Sequence, residues 1–159
     1  MNVRGVLLWG FAGTTILTTI MRAAQALGRT RVDLPLILGL IFTADRSRAK
    51  VYGTLVHLVN GWLFAFVYAT VFEQLRRATW WVGALVGMVH ALFVLVIGMS
   101  ALPGLHPRMA TDATGPEPTL ELEPPGFLAM NYGRQTAIVT FIAHLIFGAV
   151  LGSLYRVRR

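Results

Sequence analysis

The distribution of charge constrains this chain most. Four stretches, residues 5–27, 51–72, 80–102 and 135–155, are almost wholly apolar, and the charged residues gather between them. Each stretch matches the roughly 20 residues that a helix needs to cross a hydrocarbon core about 30 Å thick. Of the 159 residues, 55% are hydrophobic and only 13% charged, and the mean hydropathy is +0.63. A water-soluble domain carries about twice that share of charge. The expected fold is therefore all-α: a polytopic membrane four-helix bundle forming one domain over residues 1–159, with one or two short interfacial or re-entrant helices.

The first stretch follows Arg4 and runs towards Ala24, Gln25 and Ala26, which resembles a secretory signal with a small-residue cleavage site. Arg22 just before that site, and the length of the run, favour a retained helix. Thr14, Thr15, Thr18 and Thr19 can each bond back to a carbonyl one turn earlier. Gly10, Thr14 and Thr18 form a small-residue stripe. Arg22 can snorkel to the interface or pair with Asp33 or Asp45.

Residues 34–44 hold only about ten apolar residues, roughly 15 Å of helix, which is half a bilayer. This segment is expected to lie at the interface or to re-enter, with Pro35 in its first turn. Residues 103–134 read as a polar connection, acidic and proline-rich over 112–125, with a second short interfacial segment at Gly126–Met130. Trp80 and Trp81 mark an interface. An even number of spans puts both termini and the 73–79 turn on one side. Lys and Arg divide almost equally between the sides. The basic tail and the tight basic turn adjoin helix ends, which assigns the termini to the cytoplasm.

One motif recurs. His57–Tyr68 is answered eighty-seven residues later by His144–Tyr155, with His, Leu, Gly and Tyr at the same spacings and Gly152 at the place of Ala65. Two similar two-span halves would then run in the same direction, related by an axis along the membrane normal. Positions 57, 61, 65 and 68 share one helical face, as do 144, 148, 152 and 155. Gly61 with Ala65, Gly83 with Gly87, and Gly148 with Gly152 are small-residue pairs suited to helix packing. In the packing account the histidines bond across helices, and Tyr68 and Tyr155 anchor at the interface.

Histidine inside a bilayer is uncommon and costly, so His57, His90 and His144 are the candidate site residues. Two imidazoles from facing helices can ligate a haem b, and with His90 a divalent metal. Arg46, Arg48 or Arg134 would then meet propionates. A proton or small-solute pathway lined by the same histidines is a further alternative. Asn60 is a candidate to orient His57. His106, in the loop, reads as solvated.

With no cysteine, thiolate metal sites and disulfides are excluded. Serines lack a nucleophile-elbow context, and no phosphate-binding or dinucleotide loop is present, so no enzyme is expected. The charge of +7 is assigned to topology and anionic lipid rather than nucleic acid.

The overall plan resembles uncharacterised small four-span bacterial integral membrane proteins, through its hydropathy and its two His-x-x-x-Gly…Tyr helices. The resemblance implies a bacterial inner-membrane location and brings no activity to transfer. The expected role is a non-catalytic packing or accessory subunit, in contact with itself or other membrane subunits. No cofactor is expected in that reading. A haem b electron-transfer protein is the alternative.

Overall fold

The computed structural model describes residues 1–111 and 122–158, and its regular elements among these are helices, with an isolated bridge between Met109 and Leu122. Among the described residues, four helices are long and apolar enough to cross a membrane: α1 (Val3–Ala26), α3 (Arg46–Gln74), α4 (Trp80–Leu105) and α5 (Thr136–Leu154). A short α2 (Leu34–Gly39) precedes α3, and a 3₁₀ segment (Phe127–Tyr132) precedes α5. Residues 112–121, most of the expected acidic loop, lie outside the described residues.

Capping sets the helix starts. Asn2 accepts from the Gly5 N–H at 3.0 Å, Asp33 from Leu36 at 3.1 Å, and Asp45 from Ser47 and Arg48 at 2.9 and 3.0 Å. Because Asp45 caps it, α3 begins five residues before the apolar run, and Arg46, Arg48 and Lys50 form its first turns rather than a loop. α4 also exceeds expectation. It widens into a π turn at Phe93–Gly98 and continues through Pro103 to Leu105. All four threonines of α1 bond back to the carbonyl four residues earlier, at 2.7–2.9 Å.

Small residues decide which helices touch. A Cβ on Gly61 would strike the Thr14 hydroxyl, and one on Gly10 would meet Ala65 at 2.9 Å, so α3 lies on α1. A Cβ on Gly83 would strike the Gly148 carbonyl, and one on Gly87 the His144 carbonyl, so α4 lies on α5 at backbone contact. The recurrent stripe thus does the same job twice, holding the second long helix of each half against the first. The likeness stops at Gly126, which is left-handed at φ +68°, whereas Gly39, its counterpart by offset, sits in α2 against the Ala49 backbone. The α1–α5 contact also has no equal between α4 and α3, which meet chiefly through side chains.

One end of the helices is tied by Glu73. Its carboxylate accepts from the Tyr155 hydroxyl at 2.6 Å and the Arg158 N–H at 3.3 Å, while the Asn2 N–H donates to that same hydroxyl oxygen. The opposite end is roofed by the two longer connections. α2 is not free at a surface: Gly53 admits the Pro35 carbonyl, and Leu36, Ile37 and Leu40 are buried. His106, expected to be solvated, is only 4% exposed. Its Nε2–H donates to the Ile37 carbonyl at 2.9 Å and its Nδ1 accepts from the Arg108 N–H at 3.1 Å, while the Arg108 guanidinium donates to Leu40 at 2.6 Å. Residues 106–108 therefore satisfy carbonyls at the C-terminal end of α2 that the helix itself leaves open. Asp33 pairs with Lys50 at 3.5 Å, which replaces the pairing with Arg22 considered from the sequence.

Tyr132 completes the roof, donating to the Glu123 carbonyl at 2.5 Å. Burial, with the Glu123 charge as a second cause, pushes its hydroxyl up to about 12 from an ordinary 10.0. The protonated form is the one the fold favours. Its stabilisation is fully present below pH 10.0 and is lost as pH rises through about 12. Tyrosinate absorbance should therefore show one late-titrating tyrosine in the roof that Tyr132→Phe removes; its titration near the ordinary value would contradict this contact.

Candidate functional site

Beneath the roof, α1, α3, α4 and α5 enclose a cavity of about 210 Å³. All three candidate histidines line it: His57 from α3, His90 from α4 and His144 from α5. The recurrent motif explains two of these arrivals. α3 and α5 run in the same direction, and each histidine stands one turn before the glycine that presses its helix against a neighbour.

The three rings are held differently. His144 donates from Nδ1 to the Thr140 carbonyl at 2.7 Å, since a carbonyl can only accept, which leaves Nε2 of the neutral ring as an acceptor. His90 shares a 3.3 Å hydrogen bond between its Nδ1 and the Tyr68 hydroxyl, and Phe64 stacks on its face at 3.7 Å. His90 and His144 meet edge to face with ring centres 4.6 Å apart. His57 is the exception: its Nε2 is shielded and has no hydrogen-bond partner among the described residues. Leaving such an atom unpaired costs roughly 1–3 kcal/mol. Asn60 lines the same cavity one turn along, yet does not relieve it.

The floor is closed. Tyr68 and Phe147 lie below the histidines with rings edge to face at 5.3 Å, above the Gly83–Gly148 contact. Tyr68 is 1% exposed, so it is a core residue bound to His90 and not an interfacial anchor. Helical spacing puts Tyr68 on the face of His57, Gly61 and Ala65 but does not convey its bond to His90. No sequence signal marked Phe64.

The ring pair in contact is His90 with His144, whereas the haem alternative takes His57 with His144. The cavity, about 210 Å³, is smaller than the roughly 300–1,000 Å³ of sites that enclose a drug-sized ligand. Among the described residues, no group of three His, Asp or Glu side chains has the geometry to hold a metal ion.

Comparison with family models, curated proteins and solved structures finds no match to this chain. The functional argument therefore rests on the cavity.

Proposed function

We propose that this is an integral membrane protein, a bundle of four spans, that binds a small neutral solute at a chamber lined by His57, His90 and His144. Membrane insertion is supported by the outward faces. No more than 39% of the most apolar window of each long helix is buried, and the remainder presents side chains such as Leu8, Leu63, Val89 and Ile138. Arg4, Arg76, Arg77, Arg156 and Arg158 gather at the end holding the termini, which supports a cytoplasmic location for that end, in a bacterial inner membrane.

One observation carries the solute reading: three histidines on three spans converge on one cavity, and one of them, His57, keeps an Nε2 that has no partner among the described residues. Packing alone accounts for His90 and His144, which have partners, but leaves His57 unexplained. The glycine stripes that suggested an accessory subunit are occupied by contacts within the chain, so they no longer argue for a partner. A route through the membrane draws little support, because the Tyr68–Phe147 floor seals the chamber towards the termini.

The ligand best suited to it donates hydrogen bonds to imidazole nitrogen and carries no charge, because among the described residues the lining holds no Asp, Glu, Lys or Arg. The probe p-cresol meets both requirements. In nanodiscs it is expected to raise the unfolding temperature of the full chain, by the equivalent of about 2.7 kcal/mol at a hundredfold excess over Kd. His57→Leu and His144→Leu should each remove most of that gain. A protein indifferent to p-cresol, or equally stabilised after both substitutions, would overturn the proposal.

A further inference from the structure

The chamber is not equally deep on every side. Its liners from α1 and α5, including Thr14, Leu17, Thr140 and His144, are buried. On the α3–α4 side Gly61, His90 and Met99 are buried, but the others are only half-buried: His57, Asn60 and Phe64 on α3, and Val94, Gly98 and Leu102 on α4, with Leu34 and Leu38 of α2 above them. This is the side on which α3 and α4 meet chiefly through side chains, and along which α4 widens into its π turn. π turns are frequent at functional sites. The mouth therefore opens sideways, along the flank of the helices. Leu55, Leu63, Val89, Leu92 and Ile97 on α3 and α4 are exposed.

Building on the binding role proposed above, we infer that the ligand is a membrane-soluble phenol or quinol whose hydroxylated aromatic head docks on His57 and His144 and whose apolar tail leaves between α3 and α4 into the lipid. Size selects a head and no more: an apolar cavity of about 150 Å³ is enough for benzene, and this one measures about 210 Å³. Chemistry selects a hydroxyl group. His144 offers Nε2 as an acceptor and His57 lines the same space, while among the described lining residues an anion would find no Arg or Lys and a cation no carboxylate. The mouth selects the tail. Of the half-buried liners only His57 and Asn60 are polar, so the group that passes between the others is apolar. A water-soluble phenol would have no use for an opening that faces lipid.

Gly98 gives access to a direct test. A Cβ there would meet only the Phe93 carbonyl oxygen, at 3.9 Å, so a large side chain can stand in the mouth without displacing a helix. Equilibrium binding of radiolabelled decylhydroquinone and of methylhydroquinone to the full chain in phosphatidylcholine nanodiscs would be compared, the former expressed per bilayer lipid. Both are expected to bind. Gly98→Trp should weaken decylhydroquinone at least tenfold while leaving methylhydroquinone within threefold, and Leu102→Trp should do the same. Ile97→Trp, outside the mouth, should change neither. The inference is overturned if methylhydroquinone binds and decylhydroquinone does not, or if both mouth substitutions leave decylhydroquinone unaffected. It also fails if the substitutions weaken both ligands equally, because the tail would then not be what they obstruct. Failure of both ligands to bind the unaltered protein would instead remove the chamber reading itself.

Discussion

Gly148→Leu is expected to be the most damaging single substitution in the chain. At Gly148 a Cβ would strike the Gly83 carbonyl oxygen, stand 2.8 Å from its carbon, and meet a Tyr68 ring carbon at 3.0 Å. Overpacking a core by ordinary side-chain collision costs about 1–3 kcal/mol. Here the obstacle is backbone, which cannot choose another rotamer, so α4 and α5 must separate along their whole contact. The loss should exceed that range, with an unfolding temperature lowered on the order of 10 °C or more, or no folded protein recovered from detergent. The same shift would move the His144 carbonyl off Gly87 and spoil the chamber. Gly104→Leu is the control, since nothing lies within 4 Å of its Cβ position. If Gly148→Leu unfolds at the control temperature, the α4–α5 contact is not as described.

Phe147→Ala should come second, by the opposite mechanism. Phe147 is 2% exposed and meets Tyr68 and His90 edge to face, while Gly13 of α1 is small enough to accept its ring. It therefore joins all four long helices. Truncating a buried Phe costs about 3–5 kcal/mol in soluble proteins. In a bilayer the separated helix would still expose that ring to lipid, so most of the transfer contribution is missing and the lost contacts remain. A loss near about 3 kcal/mol is expected. The chamber should grow downwards into the vacated space, so 4-tert-butylphenol should gain affinity about tenfold relative to p-cresol. Unaltered stability would mean that Phe147 does not plug the floor.

These two neighbours show how much of the site the sequence carries. Hydropathy locates the four long helices within a few residues, because apolar length is a local property. The exceptions are also local in cause: Asp45 caps α3 early, and Pro103 sits close enough to the end of α4 for the helix to continue past it. The repeat identifies His57 and His144 as equivalent, and helical spacing puts His90 on the face of Gly83 and Gly87. What spacing does not convey is the partner each ring finds. Thr140, Tyr68 and Phe64 depend on how α3, α4 and α5 are rotated, and His106 depends on a contact with Ile37 sixty-nine residues away. The repeat itself hides the decisive difference. Asn60 and Phe147 occupy the same register, and the large ring seals the floor on the α5 side while the amide stands at the mouth on the α3 side.

The most direct measurement is the ¹⁵N spectrum of the four imidazoles in histidine-labelled protein, recorded in nanodiscs with and without p-cresol. Each ring can be assigned by its own substitution. The expected result is that the Nε2 signals of His57 and His144 move together on titration, with one shared midpoint, while His106 in the roof stays where it was. Separate midpoints for His57 and His144, or a response confined to His106, would contradict a shared chamber.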